Sequence, residues 1–332
     1  MININLQNKE NTDQNTITDT RLFSNINLHL SIKCSNKIWS ILELTDKRIA
    51  CGCGPIQSGN PNSIIIFSIN FTTNKYKEEN RKDNAHLNHI ISMCECFSNK
   101  LFSLSTNEIK IWNTTTLTLL HTINDHLHPI YKIIILNNNK FVSCSSDKTI
   151  RIWNSTTYQS IFTITETAAV FSMLNINNEI LIGNVFEHYL SAYDLLSYQR
   201  ITIIQGIYTV NHNGMILLSN NKFAVSQYYS NCIVIMNIIT FAIETVIEDK
   251  EYISKYSGCL SVFDKNSFIY VYNGLLVHVV RGCNGKYEIS YKVKEDSKIM
   301  DGYYGLLCIQ RENEKYLVIG NDDTEINIFK PE

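Results

Sequence analysis

One feature constrains this chain more than any other: it repeats. The stretch 141-FVSCSSDKTIRIWN-154 reads as a strand, a tight polar turn and a second strand ending in Trp-Asn. The shape of that second strand, TIRIWN, recurs as SIIIFS, EIKIWN, YLSAYD, CIVIMN, LVHVVR and EINIFK. Its copies end at residues 68, 113, 154, 194, 237, 281 and 330, separated by 45, 41, 40, 43, 44 and 49 residues. One chance match is easy; seven at this spacing are not.

The strand before it repeats as well, beginning RIACGC at 48, KLFSLS at 100, KFVSCS at 140, EILIGN at 179, KFAVSQ at 222, SFIYVY at 267 and KYLVIG at 315. Further upstream lies a third apolar element, clearest in 38-IWSI-41, 90-IISM-93, 130-IYKI-133 and 170-VFSM-173. It fades in the later units, where 212-HNGM-215, 257-SGCL-260 and the segment around Tyr304 take its place. A fourth alternating run follows, as in 117-LTLLHTI-123 and 158-YQSIFTI-164. Four short β-rich runs in each unit of roughly 40–50 residues predict the blades of an all-β propeller.

Unit three carries a family resemblance. The segment 125-DHLHPIYKIIILNNNKFVSCSSDKTIRIWN-154 closely resembles a WD40 repeat, with Asp125-His126 where that family has Gly-His and Trp153-Asn154 where it has Trp-Asp. Unit two resembles it through Ile109-Lys-Ile-Trp-Asn113; the other five match in hydrophobic pattern, with Tyr193-Asp194 nearest the signature dipeptide. The resemblance implies a seven-bladed propeller with four antiparallel strands per blade. It also implies a structural tetrad, in which His126, Ser143, Asp147 and Trp153 are linked by hydrogen bonds inside blade three. Ser145 is an alternative to Ser143. No other unit is expected to hold the whole set, which makes blade three the expected stiffest.

Closure follows from what the last unit lacks. It ends at its third strand, Ile328 and Phe329 being followed only by Lys-Pro-Glu, while 26-INLHLSI-32 alternates strictly before the first complete unit. The N-terminal strand is therefore expected to complete blade seven, because an unsealed sheet edge exposes unpaired N–H and C=O groups. Residues 21–332 then form one propeller, and the polar stretch 1–20 a disordered tail.

Composition excludes several functions. Near-neutral charge (−2) gives no basic stripe for phosphates, so no nucleic-acid partner is expected. No run approaches the ~18 apolar residues of a membrane span, and residues 1–20 lack the h-region of a secretory signal. The ten cysteines are expected to stay reduced in the cytoplasm, with the nucleus as the second choice of location. Cys51, Cys53, Cys94 and Cys96 fall in strand positions rather than at zinc-site spacing, so no metal is expected. Histidines without H-E-x-x-H spacing and glycines without a phosphate loop leave no catalytic residue or cofactor to propose.

What remains is binding, through loops held on one face. In the family the loops leading into first strands and the turns joining second to third strands share that face, the top. Trp39, Tyr131 and Phe171 hold the second position of the first-strand motif and are candidate peptide anchors, or else packing between blades. Top loops of blades five to seven hold nine acids against four bases, a local −5, with Asp301, Asp322 and Asp323 the candidates for steering a basic partner segment. The lengthened turn 54-GPIQSGNPNS-63 is a third candidate contact. The expected function is a non-catalytic scaffold for partner proteins within a larger complex. The rivals are an adaptor subunit of a ubiquitin-ligase or signalling complex, and a propeller enzyme working in the central channel.

Overall fold

The structure, a computed structural model, describes residues 26–331 apart from 35, 55–60, 97–98, 138, 208, 210–212, 220, 228–231, 249–257, 273–274, 282–286, 295–304 and 321–323. For 26, 272, 275–277, 280 and 291–294 it describes the backbone alone. Seven four-stranded antiparallel sheets make up the fold, each in the order first, second, third, fourth strand from the inside out. Blade one runs Lys37–Glu43, Ile49–Gly54, Asn62–Asn70 and Lys75–His86; blade two runs Ser92–Cys96, Lys100–Ser105, Glu108–Asn113 and Leu119–Ile123. Blade three holds Ile130–Leu136, Lys140–Ser145, Thr149–Asn154 and Ser160–Thr165. Blades four, five and six begin at Val170, Met215 and Cys259. In blades five and six the first strand therefore starts at or just before the end of the HNGM and SGCL motifs.

Blade seven is completed from the other end of the chain. Ile26–Lys33 lies antiparallel to Glu325–Pro331, with Leu28 opposite Phe329 and Ile32 opposite Ile326. The seam packs accordingly: Ile32, Ile326, Ile328 and Tyr316 from blade seven share a core with Ile38, Cys51 and Phe67 from blade one. The sheets approach so closely there that a Cβ added to Gly305 would sit 2.7 Å from the backbone nitrogen of Ile41. Only glycine fits.

Each core is shared between neighbouring blades. Strands buried on both faces explain the continuous apolar runs: Val142, Ile150 and Ile152 face Val170, Leu181 and Tyr193 of the next blade. Trp153 faces backwards, onto Phe102, Ile111 and Ile123.

The turn after the third strand of blades two to five shows why Trp-Asn can replace Trp-Asp. The Asn113 and Asn154 Oδ1 atoms each accept two backbone N–H groups, from residues two and three positions on, at 2.8–2.9 Å. Asp194 and Asn237 make the same pair of bonds. The turn uses only one side-chain oxygen, so amide and carboxylate serve alike. Its fifth residue adopts positive φ in every copy: Leu117 at 51°, Tyr158 at 60°, Tyr198 at 59° and Phe241 at 54°. That conformation costs a bulky residue roughly 1 kcal/mol. Packing against the preceding blade offsets it: Tyr158 stacks on His121 at 4.7 Å and Tyr198 on Phe162 at 4.9 Å. Lys100 and Lys140 cover these two rings at 5.2 and 5.5 Å.

Candidate binding face

Inside blade three, four side chains form one hydrogen-bonded chain. Trp153 Nε1–H donates to Ser143 Oγ at 2.8 Å, and Ser143 Oγ lies 2.7 Å from His126 Nε2. On the far side of the ring, His126 Nδ1 lies 2.7 Å from Asp147 Oδ2. Donors and acceptors close in only one sense with a neutral imidazole. The serine hydroxyl donates to Nε2, and Nδ1–H donates to the carboxylate. Burial would raise the Asp147 carboxyl, but bonds from His126 and Thr149 hold it below the ordinary range. Ser145 stands outside this chain, donating instead to the His128 carbonyl at 2.9 Å.

Blade three is not alone in this, which corrects the expectation from sequence. In blade two, Trp112 Nε1–H donates to Ser103 Oγ at 2.7 Å, Ser103 Oγ meets His86 Nε2 at 2.7 Å, and His86 Nδ1 meets Glu108 Oε1 at 2.7 Å. The turn before Glu108 is shorter, so the acid moves from the turn to the first residue of the third strand, and the longer glutamate spans the gap. Hydrogen bonding to His86 holds Glu108 below its usual value, while burial lowers the imidazole.

Blade four rewrites the same positions. Glu166 stands in the histidine place, Tyr193 in the tryptophan place and Gly183 in the serine place. The wholly enclosed Glu166 accepts from Tyr189 at 2.9 Å, from Tyr193, and from Arg200 at 2.8 Å. One carboxylate with two phenols and a guanidinium satisfies the site without imidazole.

Blade six buries His278 completely in its third strand, with Ser290 Oγ 2.8 Å from Nδ1 and Phe263 edge-on at 5.4 Å. Burial pushes this imidazole down to about 4. A base whose folded value is depressed contributes stability present above its unfolded value of about 6.5, lost as pH falls towards 4. We expect roughly 3 kcal/mol of acid destabilisation from this group across that window. His278→Asn, which keeps an acceptor for Ser290, should flatten that part of a stability-against-pH curve. An unchanged curve would refute the assignment.

These networks fix the frame from which the top face projects. Trp39, Tyr131 and Phe171 all occupy register shifts of their first strands, between Ile38 and Ser40, Ile130 and Lys132, and Val170 and Ser172. Each is the extra residue of a β-bulge, which turns its side chain out of the alternation of the sheet. The three rings are half-buried. Trp39 stacks on His89 at 4.3 Å. Tyr131 meets Phe171 at 4.7 Å, and Phe171 meets Phe186 edge-on at 5.5 Å, so three rings run continuously across blades three and four. The rings thus pack between blades three and four while remaining partly open.

Sequence reasoning missed the apolar residues beside them. Leu87 is 89% exposed, Leu127 77% and Phe186 52%. Leu87 and Leu127 each follow a tetrad histidine, so the signal was the doublet His-Leu at 86 and 126. Deeper in the ring, Lys132 from blade three donates to Asn213 Oδ1, ahead of blade five, at 2.5 Å. Burial lowers its ammonium to about 8. Asp301, Asp322 and Asp323 lie outside the described residues, as do most of 54–63. Nine cysteines are free thiols, and no group of three or more metal-type ligands occurs among the described residues.

Residues 117–154 match the family model described as WD domain, G-beta repeat. The match runs from the fourth strand of blade two through the third strand of blade three, over the tetrad residues His126, Ser143, Asp147 and Trp153. The chain is a seven-bladed propeller that carries a WD40-type repeat in blade three. No curated protein matches it significantly. WD40 propellers serve in general as platforms for protein interaction, and a rigid ring of seven sealed blades suits that use.

Proposed function

We propose that this WD40 propeller is a non-catalytic scaffold that holds a partner polypeptide on the top face of blades one to four. The bulge-borne aromatics support the reading best. Trp39, Tyr131 and Phe171 are turned out of their sheets at one level of the ring, and Phe186, Leu87 and Leu127 extend that surface outward. Large rigid side chains concentrate interface energy, and a frame locked by buried networks loses little entropy on binding. The chemistry-bearing groups of blades two to four are engaged with one another inside the sheets, which leaves the surface to recognition.

The test compares capture by the wild-type protein with capture by a Leu87→Asp, Leu127→Asp, Phe186→Asp variant. These side chains are exposed, so the fold should survive. Partners identified by mass spectrometry with the wild type should be lost from the variant. An identical set of partners on both proteins would overturn the reading.

A further inference from the structure

Among the described residues, the bottom of the ring breaks its own repeat at the seam between blades seven and one. In blades two to five the third strand ends in the five-residue turn described above. In blade one the hairpin runs on past Phe67, pairing Ser68 with Lys77, Ile69 with Tyr76 and Asn70 with Lys75. The overhang carries Phe71 to its tip. There Phe71 meets Tyr316 at 4.5 Å and lies parallel to His29 at 6.3 Å, while His29 meets Tyr316 at 5.1 Å. His29 sits at the register shift of the closing strand, between Leu28 and Leu30.

The result is a cleft of about 660 Å³, walled by Ile69, Asn70, Phe71 and Asn74 on one side and Arg311, Glu312, Glu314, Tyr316 and Lys330 on the other. At the neighbouring joints, the position matching Tyr316 is Lys100 or Lys140, and that lysine covers the turn aromatic. Tyrosine has replaced the cation here, and open space adjoins the rings.

Charge selects the ligand. Arg311 and Lys330 line the cleft with Glu312 and Glu314, and Glu43 behind Arg311 also pairs with Lys47 at 3.6 Å. Arg311 bonds Glu43 at 2.5 Å and the Lys47 carbonyl at 3.0 Å, and lies over Phe71 at 5.1 Å. Lys330 bonds Glu314 at 2.5 Å. Glu312, exposed on the hairpin turn, is the carboxylate left over. The phenol of Tyr316 registers the balance: burial raises it first, the bond to Glu314 and the fields of Glu314 and Glu312 add to that, and it reaches about 12 despite Arg311. Aromatic faces beside a carboxylate are the recognition chemistry of an organic cation.

We propose that the cleft at the seam is a binding site for an arginine side chain of a partner polypeptide, its guanidinium lying against Tyr316 and His29 and paired with Glu312. A planar guanidinium stacks on rings and pairs with a carboxylate at once, which an ammonium does less well. The site is separate from the top face, so the two can be tested apart.

The probe is N-acetyl-arginine amide, followed by the methyl signal of Ile69 in isotope-labelled protein. A saturable shift is expected, absent with the uncharged N-acetyl-citrulline amide and weakened about tenfold in Glu312→Gln. The Leu127→Asp variant should bind the probe like the wild type. No saturable shift, an equal response to citrulline, or an unchanged affinity in Glu312→Gln would each overturn the proposal.

Discussion

Deleting residues 21–33 is expected to turn a cooperatively melting protein into an aggregate. The deletion strips Ile26–Lys33 from the outer edge of Glu325–Pro331 and leaves that edge unpaired, the inner one still bonded to Glu314–Gly320. It also removes Ile32, wholly buried among Ile38, Cys51, Phe67 and Ile328, and the His29 contact to the Phe71 carbonyl at 3.1 Å. Several ladder hydrogen bonds at about 1 kcal/mol each, with apolar burial of about 2 kcal/mol per large side chain, sum to more than ~5 kcal/mol. That rivals the whole stability of an ordinary domain. The exposed edge would moreover template pairing with other chains. Size-exclusion chromatography and a thermal melt decide it. A monodisperse truncation with an undiminished cooperative transition would show that the ring does not depend on this strand.

The second large effect concerns the two hydrogen-bonded chains. Ser103→Ala and Ser143→Ala should each destabilise the protein by roughly 2–4 kcal/mol in urea unfolding. In either blade the serine oxygen joins an enclosed indole N–H to an enclosed imidazole nitrogen, so its loss strands two buried polar groups. Ser145→Ala removes its bond to the His128 carbonyl and the one it accepts from the Asp147 N–H, neither joined to a second buried side chain, and should cost about 1–2 kcal/mol. Near-equal effects at 103 and 143 would mark blades two and three as equivalent. A Ser103→Ala protein as stable as the wild type would leave blade two without a working network.

The equivalence was hard to read from sequence for a physical reason. Aligning the repeats places Ser103 on Ser143 and Trp112 on Trp153, but nothing acidic falls at Asp147 because the blade-two turn is shorter. Glu108 takes over from a strand position, using its extra methylene, and His86 closes a fourth strand of twelve residues rather than opening a short loop. A pattern keyed to one spacing passes over a solution that keeps the atoms and changes the residues. Glu166 with Tyr189 and Tyr193 is a further departure, legible only once their side chains converge.

The bulged aromatics give a related case. The common position of Trp39, Tyr131 and Phe171 is visible in the chain, whereas their orientation is not. A register shift is a property of two paired strands, and no single strand announces it.

Periodicity determined the number of units and their four-strand plan, and the strict alternation of residues 26–32 pointed to closure by the N-terminal strand. Each rests on local alternation repeated at a near-constant interval, and burying both faces of every sheet leaves few other arrangements. Tertiary structure alone decided where the repeat fails: the acid of blade two, the direction of three aromatic rings, and the cleft that joins His29 and Phe71 to Arg311 and Tyr316. Those features bring together residues from distant parts of the chain, and such contacts come into being only when the ring shuts.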